Sequence, residues 1–138
     1  MSLGTMSEEI NVPRRSVAEL SEGFDPVVAA GMVNPAMSSW MAFQSRTREG
    51  GLAKGFGGLI LGVTSAGGPL AVSFAKKLGA GRVVGLARNA GTMEVDGLDE
   101  RIVVAENAEE TDFRALEPVD VIVDYVGGSL TTHLLNVL

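Results

Sequence analysis

The chain has 138 residues, no cysteine, one histidine and a formal net charge of −6. This length suits one domain with a real core, and the missing cysteine excludes disulfides and thiolate chemistry while fitting a cytoplasmic protein. The acidic balance, with no basic stripe or Arg-rich run, argues against nucleic acid or a membrane surface as partner, and no apolar run approaches the roughly 20 residues of a membrane span.

Met1 to Thr5 lack the basic start and apolar stretch of a signal peptide and, ahead of a second methionine at Met6, read as the remnant of a tag. From Ile10 to Asp25 the residues Val12, Val17 and Leu20 are spaced by polar ones, which predicts a short strand or an extended arm. Asn34 and Pro35 form a helix cap and a first-turn proline, and Met37, Trp40, Met41 and Gln44 continue at helical spacing. A helix is therefore expected from Pro35 to about Arg48, ended by Glu49, Gly50 and Gly51. The apolar run Leu59–Val63 reads as a buried strand. It breaks at a glycine-rich turn and opens into an amphipathic helix with Leu70, Ala71, Phe74, Ala75 and Leu78 on one face, Lys76 and Lys77 in the last turn and Gly79 as the stop. Three further strands are predicted at Arg82–Ala87, Arg101–Ala105 and Val119–Val126. Between them Gly91 to Glu100 allows at most a turn or two of helix, whereas Ala108 to Leu116 is expected to be helical. So is Ser129 to Leu138, with Ser129 as its cap.

Strands rich in Val and Ile that alternate with helices indicate βαβ units, hence an α/β fold with a Rossmann-like three-layer parallel sheet of about four strands. Residues 1–33 read as an N-terminal arm and residues 34–138 as a partial dinucleotide-binding domain. No internal repeat or low-complexity segment interrupts them.

The turn reads Gly62, Val63, Thr64, Ser65, Ala66, Gly67, Gly68, with Pro69 inside the helix. Free N–H groups at the start of a helix converge on one anionic spot, and the helix dipole adds partial positive charge there. Two registers against GxGxxG are open. From Gly62 the middle glycine is replaced by Thr64; from Val63 only the last glycine survives and Ser65 stands in the middle. Glycine is also needed in tight turns for steric reasons alone. The strand Arg82–Ala87 is followed by Arg88 and Asn89, where an NAD-preferring protein carries an acid for the ribose hydroxyls. Arg88 is placed for a 2′-phosphate, which favours NADPH over NADH; the bland alternative is a solvated surface arginine.

The stretch LILGVTSAGGPLAVSFAKKLGA, the ARN after the second strand, VDVIVDYVGG and the earlier NPAMSSWMAF together resemble the zinc-independent quinone-oxidoreductase branch of the medium-chain dehydrogenases and reductases. The resemblance covers most of Ile10 to Leu138, which is under half of a full family member. It implies the tail of a catalytic domain followed by about four strands of a Rossmann domain of order 3-2-1-4-5-6. It further implies that Gly62, Thr64, Ser65, Ala66, Gly67 and Gly68 hold a pyrophosphate, that Arg88 and Asn89 contact the adenosine 2′-phosphate, and that Ser38 lies near the nicotinamide. Tyr125 and Val126, in the loop Asp124 to Gly128, would line the cofactor groove. The sequence departs from the family at the middle glycine and at the acidic, glycine-bearing Gly91 to Glu100, where a helix is usual.

His133 has no cysteine to join it, so no metal site is expected. Asp120 and Asp124 share one side of a strand without a partner base and read as structural, and the Met37, Trp40, Met41 stripe reads as core. Two functions follow. One is the NADPH-binding portion of an oxidoreductase passing hydride between nicotinamide and a quinone or enone. The other is an inactive, truncated module acting through oligomerisation or a partner chain. In the order 3-2-1-4-5-6 the fourth strand here lacks its fifth neighbour, so that apolar edge is expected to form a homo-oligomer or to be covered by the N-terminal arm.

Overall fold

A computed structural model describes residues 6–48 and 50–138. The tag reading at Met1 to Thr5, and Glu49 as a helix stop, lie outside those residues. The chain forms two compact units, one ending at Gly31 and one from Met32 to Leu138. The first is extended apart from a single 3-10 turn at Arg14–Ser16 and the opening turns of a helix. Its described residues include no strand, so of the two expectations for Ile10 to Asp25 the extended arm describes them.

That helix, α1, runs Pro26–Arg48 and not from Pro35. The cap is Asp25, whose carboxylate accepts the Val27 N–H at 2.8 Å and whose carbonyl accepts the Ala29 N–H at 2.9 Å. Asp25 and Pro26 thus carry the same cap-plus-proline pattern as Asn34 and Pro35, and the earlier pair starts the helix. Pro35 stays in the interior, where it removes one donor from the ladder.

In the second unit the elements follow as β1 (Gly57–Leu61), α2 (Gly68–Lys77), β2 (Arg82–Ala87), β3 (Glu100–Val103), β4 (Val121–Asp124) and α3 (Gly128–Val137). The strands make a four-stranded parallel sheet of order β3-β2-β1-β4, with Leu59 opposite Val84 on one side and Ile122 on the other. Alternation along β1 builds two cores. Ile60 joins Phe43 of α1 and Ala71, Val72 and Ala75 of α2; Leu59 and Leu61 join Phe113 and the α3 residues Leu130 and Leu134. Helices on both faces are what an all-parallel sheet requires. α2 ends as its sequence indicates: Gly79 takes φ +100°, its N–H reaches the Lys76 carbonyl, and the Ala80 N–H reaches Ala75.

Two helical expectations are corrected. Of Ala108 to Leu116 only Ala108–Glu110 forms a 3-10 turn. Side chains there compete for the backbone: the buried Thr111 hydroxyl accepts the Ala105 N–H, and the Asp112 carboxylate accepts the Arg114 N–H. The chain turns so that Phe113 can enter the core. At α3, Ser129 lies inside the helix and Gly127 is the cap residue, with no side-chain cap bond.

Candidate functional site

Parallel strands aim their carboxyl ends at one edge, and the connections from β1 and β4 leave that edge toward opposite faces, which opens a crevice between them. A groove of about 550 Å³ lies there. Its walls include Gly62, Thr64 and Ser65 after β1, Arg88 after β2, and Tyr125 and Val126 after β4.

Gly62 has φ +77° and turns the chain out of β1, while the N–H groups of Gly62 and Val63 both donate to the Leu86 carbonyl. The loop is closed by Ser65 N–H to Gly62 and by Gly68 N–H to the Ser65 carbonyl and hydroxyl. Among the described residues, the N–H groups of Thr64, Ala66, Gly67 and Leu70 have no acceptor within the chain. The first N–H groups of α3, from Gly128 to Leu130, are likewise open among the described residues, and these three residues line the same groove. Two helix starts therefore bring unpaired donors to one crevice, the arrangement that attracts anions.

Gly67 and Gly68 do not line the groove. A Cβ at Gly67 would stand 2.9 Å from the Tyr125 ring, and one at Gly68 would overlap the Val63 carbonyl. Packing within the protein demands both glycines, whatever a ligand requires. Ala66 is exposed beside them. Ser38 is exposed on α1 with its hydroxyl donating to the Pro35 carbonyl at 3.0 Å, and the Asn89 side chain accepts the Gly91 N–H at 2.9 Å to start a short turn. Neither reaches the groove wall. Arg88 is exposed and, among the described residues, has no ion-pair partner, while Glu106 contributes a carboxylate to the same crevice.

Three features escaped the sequence reading. The α3 start and Glu106 are two. The third is Ser39, fully buried, whose hydroxyl meets the Tyr125 hydroxyl at 2.6 Å. Its signal was available: Phe43 follows four residues later on the same helix face, so Ser39 and not Ser38 points inward. Asp124 organises the loop below. Burial pushes its carboxyl up, but hydrogen bonds from Thr131, Gly127 and Val126 together outweigh this and hold it below the usual aspartate value. His133 faces Phe113, ring centroids 5.4 Å apart, and contacts the Thr111 carbonyl, a packing position remote from the groove lining. Among the described residues no helix is long and apolar enough to cross a membrane.

No family model matches the chain. Over 123 residues, 84% of the chain, it is 42% identical to a probable NADPH-dependent quinone reductase of Emericella nidulans, of which it covers 34%. It is 31% identical over 140 aligned residues to a mitochondrial NAD(P)H oxidoreductase of Mus musculus, covering 98% of the chain and 35% of that protein. The chain thus spans about a third of the length of the curated relatives it matches. Among solved structures, the quinone oxidoreductase of Thermus thermophilus, described with its NADPH complex, superposes with a TM-score of 0.75 at 23% identity, over 98% of this chain and 44% of that one. That likeness is one of fold, and it agrees with the strand order and the crossover faces described above. The sequence identity and the shared fold agree with the resemblance read from the residues: over most of its length the chain is similar to part of a quinone reductase.

Proposed function

We propose that this chain is the NADPH-binding portion of an oxidoreductase of the quinone-reductase or enone-reductase type. The observation that carries the reading is the crevice itself, where a glycine turn, open donors at two helix starts and an unpaired Arg88 meet at one edge of the sheet. The relatives' names support the cofactor class.

The residues present fit a dinucleotide. The backbone N–H groups of Thr64, Ala66 and Gly67 offer unpaired donors for a pyrophosphate, the hydroxyls of Thr64 and Ser65 stand beside them, and Arg88 supplies a fixed positive charge for a 2′-phosphate. Tyr125 and Val126 give the groove an apolar wall. Asn89 and Ser38 enter this reading only through their places in the sequence. When bound, the cofactor supplies hydride for a conjugated carbonyl or quinone; the protein supplies orientation and electrostatics. A calorimetric titration of the chain with NADPH and, in parallel, NADH tests this. Micromolar binding that prefers NADPH is expected, and absence of heat with both ends the reading.

A second reading, a module that works through association without catalysis, is favoured by β4. It is the outermost strand on its side of the sheet, with Val121 and Ile122 only partly buried. Sedimentation of the purified chain tests it: a discrete oligomer is expected, and a monomer with rapidly exchanging β4 amides overturns it.

A further inference from the structure

Ser39 is fully buried on α1, and its hydroxyl has three neighbours: the Pro35 carbonyl at 2.7 Å, the Gly67 carbonyl at 3.2 Å and the Tyr125 hydroxyl at 2.6 Å. A serine has one proton to give and two lone pairs to fill. The two carbonyls can only accept, so they share the serine proton, and the phenol donates to Ser39 Oγ. The Tyr125 ring in turn packs against Gly67, close enough that a Cβ there would fall 2.9 and 3.0 Å from ring carbons. Three segments distant in sequence, namely α1, the glycine turn and the loop after β4, therefore meet at one pair of hydroxyls.

We infer that the Tyr125 and Ser39 hydroxyls form a latch that fixes the glycine turn, so that a helix outside the groove lining sets the geometry of the open donors at Thr64, Ala66 and Gly67. Both are positioning residues. The carbonyl of Gly67 is held from two directions, by the Ser39 hydroxyl and by the Ala71 N–H at 2.9 Å. Its peptide plane decides where the neighbouring donors point. Buried polar groups tied in such a network lose more than one bond's worth when a partner is removed, because the remaining groups are left unpaired. The effect on cofactor affinity rests on the function proposed above; the effect on the turn does not.

The test uses Tyr125→Phe and Ser39→Ala, each smaller by one hydroxyl and neither altering ring or helix packing, together with the double variant. Amide exchange at Gly68 and Ala71, whose N–H groups bond within the turn, is expected to quicken in each single variant while β2 amides stay unchanged. Tyr125 is the only tyrosine in the chain, so its hydroxyl proton is a unique resonance, slow to exchange in the parent protein and lost in Ser39→Ala. NADPH and NADH affinity are each expected to fall about tenfold, by the same factor, with the double variant no weaker than either single one. Arg88→Gln serves as the contrast, since it alters the preference between the two cofactors and leaves exchange in the turn untouched. Unchanged exchange at Gly68 and Ala71, or a tyrosine hydroxyl that exchanges freely in the parent, overturns the latch. Quickened exchange in the variants, with a parent that binds neither cofactor, keeps the latch and removes the cofactor reading instead.

Discussion

The two ends of the sheet are built on opposite plans. At the amino ends of the strands several charges are answered: Lys76 pairs with Asp99 at 2.5 Å, Arg82 forks onto Glu100 at 2.6 and 2.9 Å, and the carboxylates of Asp99 and Asp120 accept the N–H groups of Val83 and Gly57. At the carboxyl ends, among the described residues, Arg88 has no partner, and backbone donors at the starts of α2 and α3 have no acceptor. The same strands thus end in saturation on one side and in open hydrogen-bonding capacity on the other. On the function proposed above, stability belongs to the first end and binding to the second, and that division can be broken by substitution.

The largest effect is expected where the open end depends on its own packing. Gly68→Ala places a methyl group inside the Val63 carbonyl, which is backbone and cannot yield, so unfolding free energy should drop by about 3 kcal/mol or more in a urea titration. A loss under about 1 kcal/mol would show that the turn moves freely. Next comes Arg88→Gln. A guanidinium on a phosphate is a charge-assisted bond, so NADPH affinity should fall roughly 10- to 100-fold with NADH affinity little changed, and stability should stay within about 0.5 kcal/mol. Equal loss for both cofactors would detach Arg88 from the 2′-phosphate. Asp99→Ala sharpens the comparison from the other end. It leaves the Val83 N–H and Lys76 without their acceptor, at a cost of about 1 to 2 kcal/mol after allowing for solvent at a half-exposed pair, with cofactor affinity intact.

Why some of this was legible in the residues and some was not is a matter of range. β2 was bounded correctly because RVVGLA is a mostly apolar run between turn residues, and the parallel sheet followed from the alternation of runs with helices, while its strand order came only with the family resemblance. α2 was legible from its face, its terminal lysines and Gly79. The start of α1 was missed because two Asx-Pro pairs nine positions apart each satisfy the local rule, and only the turns between Pro26 and Pro35 decide between them. The segment after β3 failed for another reason: Thr111 and Asp112 commit their side chains to nearby N–H groups, which helical periodicity does not register. At the site, the glycines admitted both a phosphate reading and a purely steric one, and the structure supplies the steric partners, Tyr125 for Gly67 and Val63 for Gly68. A contact between residues as far apart in the chain as Gly67 and Tyr125 leaves no trace in local spacing.

Acid should expose the division between the ends most finely. The Lys76 hydrogen bond holds the Asp99 carboxyl below its ordinary value against the opposing pull of burial, and the Arg82 fork does the same for Glu100. A carboxyl whose folded pKa is depressed releases its proton more readily in the native state, so the unfolded chain binds more protons as pH falls. The stabilisation from these pairs is complete above the unfolded values of 3.8 and 4.5 and is lost as pH drops through the folded ones. Urea midpoints recorded from about pH 6 to about pH 3 should therefore stay level and then decline. In Asp99→Ala the decline should be shallower, since one of the linked groups is gone, while in Arg88→Gln it should match the parent. A parent curve with no acid slope would mean that the amino-end pairs are screened by solvent to nothing, and the sealed end would then owe its stability to the apolar layers of Ile60 and Leu59 alone.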